Sequence, residues 1–248
     1  MALTWRVAGT SDPGRKRDRN EDTLLLDETN GIVIVADGIG GHPAGYVASA
    51  EAAQTVQDGL TSEGSSSGWG ERMVEAVQRA NRNIWEATRE EPEHTGMCTT
   101  VTVLAMQGDS ELWVVGHVGD SRTYLLRDGG LKWITRDHTV VQELVESGAL
   151  TLSAAGGHPL SHLINRAVGT SDEVEPDVFD GSTQAGDIFL LCTDGLAGLM
   201  TDSELEDALQ GLTSDGLEDA TASLITKAHA RGAPDNVTLG FLALEEAS

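Results

Sequence analysis

The sequence predicts an α+β fold in which antiparallel sheets form the inside and helices the outside. Two observations predict it: short apolar runs are joined by glycine-bearing turns, and two longer amphipathic segments lie between such runs. A chain of 248 residues is long enough to bury a sizeable core. Strand-like runs stand on both sides of the first helical pair, which favours a single domain over residues 1–248.

The strands are predicted from apolar runs of four to eight residues. The clearest runs are 32–36, 99–106, 111–118, 123–126 and 188–192. Two junctions, 107–110 and 128–130, carry the Gly and Asp that are typical of β-hairpin turns. The strands that these turns join are therefore expected to be antiparallel.

Four helices are predicted, two early and two late in the chain. Residues 46–60 are rich in alanine, and residues 72–88 place apolar side chains on one helical face. The later candidates are 203–209 and 217–229. The Ser- and Gly-rich segment 61–70 is interpreted as a loop rather than a domain linker, because ten residues between two amphipathic helices need no domain boundary.

The composition excludes several classes of partner. A formal charge of −24 argues against binding to nucleic acid or to an anionic membrane surface, both of which require a basic footprint. No basic leader and no apolar run of membrane-spanning length is present, so a cytoplasmic protein is expected, with a monomer as the default. Cys98 and Cys192 lie in apolar runs and are interpreted as buried free thiols.

Four aspartates stand at the ends of apolar runs. Asp37, Asp120 and Asp194 follow such runs beside a glycine, and Asp235 stands just before another. If the strands bring these carboxylates to one edge, their repulsion requires a counter-charge, which predicts a metal cluster. Oxygen ligands without Cys or His motifs suit Mg²⁺ or Mn²⁺ rather than zinc. Taken singly, each Asp-Gly pair is more often only a turn.

The N-terminal segment 14–22 adds a possible phosphate ligand. It places basic residues, among them Arg17, directly before two acids and a strand. Alone it would be interpreted as a solvated loop. Together with two divalent ions that activate water, an arginine that orients phosphate oxygens suggests hydrolysis of phosphate esters.

Eight motifs in order resemble those of the metal-dependent protein phosphatases of the type 2C family, especially small bacterial members, from about Trp5 to Leu244. In chain order they are Gly14 with Arg17, Asn20, Glu21 and Asp22; residues 37–42; Thr99-Thr100; residues 118–122; Asp137-His138; residues 165–169; residues 193–195; and residues 235–238. The resemblance implies a four-layer α/β/β/α sandwich with two antiparallel sheets flanked by helices.

The resemblance also implies how the metal ions are held. Asp37 would bridge two Mn²⁺ or Mg²⁺ ions. One ion would also be served by the Gly38 carbonyl and, through water, by Glu21. The other would be held by Asp194 and Asp235. The activity implied is hydrolysis of phosphoserine and phosphothreonine in proteins by metal-activated water, opposing a bacterial serine/threonine kinase.

Further roles follow from the same resemblance. Asp120 would hold a weaker third ion together with Asp194, and Arg17 would bind the substrate phosphate. Asp22 and Asn236 would support the metal ligands. The segment 139–162 looks like the family's flap, a substrate-facing element beside the site.

Two departures from the family pattern leave questions open. Ile39 stands where animal members have a histidine that serves as the acid toward the leaving group, so that acid is unassigned. Cys98 stands where a glycine is typical. Two other functions therefore remain as alternatives: a non-catalytic module that binds phosphoproteins, and a phosphatase acting on an anti-sigma-factor antagonist.

Overall fold

The computed structural model describes residues 3–39, 43–62, 68–90, 92–107, 112–155 and 158–247. Within these ranges the strands are Leu3–Asp12 (β1), Thr23–Asp27 (β2), Ile32–Ala36 (β3), Gly38–Ile39 (β4), Cys98–Thr99 (β5), Val101–Met106 (β6), Leu112–Val118 (β7), Arg122–Arg127 (β8), Gly130–Trp133 (β9), Asp177–Ser182 (β10), Ile188–Cys192 (β11) and Val237–Glu246 (β12). The α-helices are Pro43–Thr61 (α1), Trp69–Glu90 (α2), Val140–Glu146 (α3), Leu152–Ala155 (α4), Asp194–Ala197 (α5), Asp202–Leu209 (α6) and Leu217–Ala230 (α7).

The strands form two five-stranded antiparallel sheets and a small two-stranded one. The first sheet has the order β1-β12-β11-β8-β9, the second β10-β7-β6-β3-β2, and β4 pairs with β5. Each large sheet combines strands from both halves of the chain. Although β7 and β8 are consecutive, they lie in different sheets, because the chain crosses from one sheet to the other at residues 119–121.

The apolar side chains form three layers. In β3, Ile32 and Ile34 pack with buried residues of α1 and α2, whereas Val33 and Val35 face the other sheet. In β11, Leu190 likewise belongs to the layer that includes residues of α6 and α7. Since alternate side chains of a strand point to opposite faces, one run of buried residues serves two layers. This arrangement confirms the predicted α/β/β/α sandwich.

The predicted elements agree with the observed ones, with small differences. The hairpin at 128–130 is confirmed: Asp128 and Gly129 have φ of 54° and 81°, as a type I′ turn requires. β6 and β7 are also antiparallel, but residues 108–110 of their turn lie outside the described ranges. The run 99–106 is two strands that are interrupted at Thr100. Thr100 N donates to Asp37 O in the register of the ladder at 2.9 Å, but Asp37 N donates to the Thr100 side chain, to Oγ1, at 2.9 Å.

Four element ends meet at one edge of the sandwich. β3 and β7 both pair antiparallel with β6, so their carboxyl ends lie on the same side. β11 pairs antiparallel with β12, which places the carboxyl end of β11 beside the amino end of β12. The acids that flank these ends therefore approach one another.

Two further sequence expectations concern the cysteines and a membrane span. Cys192 is fully buried, and burial raises the pKa of its thiol to about 12, while Cys98 is half-buried. Both are free thiols, as expected. Across the described ranges, no helix combines the length and the apolar character that a bilayer crossing requires.

Candidate metal centre

Asp37 and Asp194 lie at the middle of the site, with their carboxyl groups close enough to shift each other's pKa. Removal from water raises the pKa of Asp37 well above its usual range, and the nearby carboxylates of Asp22, Asp194 and Asp120 raise it further. The pKa of Asp194 is raised by burial and then by Asp235. The strand ends therefore do bring the predicted acids together, at an electrostatic cost.

Asp22 and Asp120 are the most deeply buried members of this group, at 6% and 7% exposed. Burial raises the pKa of Asp22 to about 7, although Thr193 Oγ1 donates to its Oδ2 at 2.9 Å. Burial and then Asp194 raise the pKa of Asp120 well above its usual range. Among the described residues, Asp22 Oδ1 and Asp194 Oδ1 are buried without a hydrogen-bond partner. Unsatisfied buried carboxylate oxygens of this kind are suited to a hard cation.

Glu21 and the Gly38 carbonyl face the same point. A Cβ added at Gly45 would lie 2.9 Å from Glu21 Oε2 and 3.0 Å from Gly38 O. The chain there is held by Gly38 N, which donates to Glu21 O at 3.2 Å. Glu21 and Gly38 are thus placed as two ligands of one ion would be, and only a glycine at position 45 leaves the space open.

Asn236 fixes the N-terminal segment against the second half of the chain. Its Oδ1 accepts from Glu21 N at 2.9 Å, and its Nδ2 donates to Pro13 O at 3.0 Å and Arg19 O at 2.9 Å. The fit is close, because a Cβ on Gly195 would lie 1.8 Å from Asn236 O. Asn236 therefore links the main chain of Glu21 to the start of β12.

Arg17 lies at the exposed rim of the site. Its Nη2 donates to Asp235 Oδ2 at 2.6 Å, and this hydrogen bond is the main cause that raises the pKa of Arg17. The Arg17 side chain is 48% exposed. Because guanidinium has five N–H donors, the remaining ones are available to an anion that approaches from solvent.

Asp120 lies on the turn between β7 and β8, beside a second set of charges. Two residues after it, Arg122 holds Asp137 in a bidentate ion pair, with Nη2–Oδ2 at 2.7 Å and Nε–Oδ1 at 3.0 Å. Gly119, the residue before Asp120, has φ of 113°, which L residues rarely adopt. The main chain that carries Asp120 is therefore strongly constrained.

The donor set consists of carboxylate and carbonyl oxygens, which fit Mg²⁺ or Mn²⁺. In the ranges that the structure covers, no group of three or more His, Cys, Asp or Glu side chains already has the spacing of a metal site. One pairing accounts for part of this, since Asp235 bonds Arg17. The acids thus have oxygen donors of the right chemistry for a cation and lie near one another.

Two residues of the site were given no role in the sequence predictions, although Thr193 lies in the motif at residues 193–195. Gly45 keeps the space between Glu21 and Gly38 open, and Thr193 bonds Asp22. The threonine directly before the Asp194-Gly195 pair was the available signal for the second. Gly40, Gly41 and His42 of the second motif lie outside the described residues.

The chain is similar in sequence to known protein phosphatases. The family model described as Protein phosphatase 2C matches residues 14–231. The chain is 37% identical to a serine/threonine phosphatase stp of Listeria welshimeri, over 92% of this chain and 92% of that protein. It is 39% identical to the serine/threonine protein phosphatase PstP of Mycobacterium tuberculosis, over 96% of this chain and 45% of PstP.

A solved structure extends the likeness to three dimensions. It is the catalytic domain of serine threonine protein phosphatase PstP in complex with two manganese ions. It superposes with a TM-score of 0.86 at 36% identity, covering 98% of this chain and 100% of that one.

Proposed function

The chain belongs to the protein phosphatase 2C family, and we propose that it hydrolyses phosphoserine and phosphothreonine esters in proteins, using Mn²⁺ or Mg²⁺. The observation that carries the proposal is the group of carboxylates around Asp37 and Asp194, which lie together with fewer cations than acids among the described residues. A fold that only had to be stable would not collect like charges in this way. Retention of the whole set also favours an active phosphatase over a non-catalytic module.

We assign Asp37 as the carboxylate shared between two ions, with Gly38 O and Glu21 on the first and Asp194 and Asp235 on the second. Support for the first set is that Glu21 Oε2 and Gly38 O face one point beside Gly45. Support for the second is the electrostatic coupling of Asp194 with Asp235. Asp120, coupled with Asp194, is assigned to a weaker third ion.

When bound, two divalent cations lower the pKa of water toward neutrality and offset the charge of a phosphoryl group. Arg17 binds the phosphate oxygens of the substrate at the rim, where its free N–H donors face solvent. Asp235 orients Arg17 through the 2.6 Å hydrogen bond. Asn236 and Asp22 keep the N-terminal segment and the strand ends in register around this point.

The biological setting is proposed on the same basis. The chain acts as a single domain on the substrates of a serine/threonine kinase, as a cytoplasmic monomer in signalling. The segment 139–162, which contains α3 and α4, is the flap that contacts the phosphoprotein. His138 and Leu163 border it and are fixed by main-chain hydrogen bonds from Asn165 N and Val140 N, each of 2.9 Å.

The test compares hydrolysis of p-nitrophenyl phosphate and of a phosphothreonine peptide, first with Mn²⁺ and then with excess chelator. Chelation should abolish hydrolysis, and Asp194→Asn should lower kcat by about 1,000-fold, because it weakens the sites of two ions. Asp207→Asn is the matched control, since Asp207 is exposed on α6. Activity that survives the chelator, or full activity in Asp194→Asn, contradicts the proposed function.

A further inference from the structure

His138 is a buried histidine that the proposed chemistry leaves unused. It is 4% exposed and lies directly before the flap segment. Its ring nitrogens and its main chain together contact three parts of the molecule: the turn that carries Asp120, the far end of the flap, and β10.

The first contact fixes the peptide of Gly119. Gly119 N donates to His138 Nδ1 at 3.0 Å, and His138 N donates to Gly119 O at 2.7 Å. Both polar groups of the residue before Asp120 are thereby held by one residue. A Cβ on Gly119 would lie 2.5 Å from Thr100 Cγ2, so this peptide has little room to move on its other side.

The second contact reaches β10 and the residues after the flap. Because Nδ1 accepts from Gly119, the neutral ring carries its proton on Nε2, which lies 3.3 Å from Asp177 Oδ2. Arg166 Nη1 lies 3.0 Å from the same nitrogen, which does not accept a hydrogen bond in this tautomer. Arg166 Nη1 binds the other oxygen of Asp177 at 2.7 Å. Asn165 N donates to His138 O at 2.9 Å. The residues on both sides of the flap therefore converge on His138.

The ring also packs against a second buried histidine. The His117 and His138 ring centroids are 4.8 Å apart. His117 is itself held at both nitrogens, by Thr102 Oγ1 at 2.9 Å and Arg136 O at 2.9 Å. The ring of His138 is thus supported by a residue of β7, and its two nitrogens keep their directions.

We propose that His138 is a positioning residue that couples the flap to Asp120: its Nδ1 places the Gly119-Asp120 peptide for the weaker third cation, and its Nε2, through Asp177, fixes the flap. The proposal rests on the proposed function only for the role of Asp120. Loss of one contact should leave the other partly intact, because they use different atoms of the ring.

Two conservative variants separate the contacts. In His138→Asn the side-chain oxygen replaces Nδ1 but no atom reaches Asp177, whereas in His138→Gln the amide nitrogen replaces Nε2 but nothing accepts from Gly119. Mn²⁺ binding by titration calorimetry and hydrogen exchange of residues 139–165 are measured for each variant. Neither measurement depends on turnover, so a failure here is distinct from a failure of the proposed function.

His138→Gln should weaken the lowest-affinity Mn²⁺ site about tenfold while flap exchange stays close to that of the unmodified protein. His138→Asn should show the reverse, with flap exchange accelerated about tenfold and Mn²⁺ affinity retained. Asp177→Asn, which leaves His138 in place, should repeat the His138→Asn pattern and covers the case that a ring replacement fails to fold. Equal effects of Asn and Gln on both measurements, or no effect of Asp177→Asn on flap exchange, would overturn the proposal.

Discussion

Two buried acidic regions lie side by side in this protein and differ in whether a basic side chain neutralises them. Asp137 is held by both arms of Arg122, whose guanidinium also stacks 4.1 Å above the Trp133 ring. Asp37, in the neighbouring group, has mainly other carboxylates around it. Burial is similar in kind, but of these two acids only Asp137 is paired with a cation among the described residues. A buried acid with its own arginine is explained by structure, whereas a buried acid among acids requires a partner from outside.

Asp37→Asn is expected to have the largest effect and tests whether the unpaired acids serve a metal ion rather than stability. It should lower phosphatase activity by about 1,000-fold or more, because the carboxylate shared by two ions is lost. With chelator present, its free energy of unfolding should not fall, since one of several repelling buried carboxylates has been removed. Steady-state hydrolysis and urea unfolding of the same preparation measure both. A destabilised, active Asp37→Asn would mean that the acids are a structural network.

The matching change in the paired region is Arg122→Met. It leaves Asp137 buried without its cation and should lower the free energy of unfolding by about 2–3 kcal/mol, measured by urea denaturation. Burial raises the pKa of Asp137 even with Arg122 present, so the uncompensated acid would be costly. Arg231→Met is the control: it breaks the exposed Arg231–Glu204 pair and should show no comparable loss. Equal losses in the two variants would contradict the distinction between the two regions.

A third buried titratable group, His117, is neutral and should make the free energy of unfolding depend on pH. Burial lowers the pKa of His117 to about 3, so it is neutral in the fold and protonates near pH 6.5 when unfolded. Its contribution is fully present above pH 6.5 and is lost progressively as pH falls toward 3. Between pH 6.5 and 5.5 it should remove about 1 kcal/mol of unfolding free energy.

That contribution is isolated by subtracting the pH dependence of His117→Gln, which can still donate to Arg136 O. The measurement is urea unfolding of chelated protein at both pH values. If the unmodified protein and His117→Gln lose equal stability over this interval, His117 is not the buried neutral group described here.

Much of the fold was open to prediction because its signals are local. The turn at Asp128 and Gly129 and the amphipathic pattern of α2 depend on neighbours in sequence. The positions of Asp37, Asp120 and Asp194 directly after apolar runs are local signals of the same kind. The break between β5 and β6 was missed, because it depends on a bond from Asp37 N to the Thr100 side chain, far away in the chain.

The layered fold and the positions of the acids at strand ends follow from the sequence alone, since hydrophobic alternation and strand ends depend on consecutive residues. Which acids are paired and which are not depends on the tertiary structure. Asn236 reaches Glu21 across 215 positions and Thr193 reaches Asp22 across 171. Hydrogen-bond partners at such separations follow from the packing of the sheets, because no local pattern specifies which distant group will lie within 3 Å of a buried carboxylate.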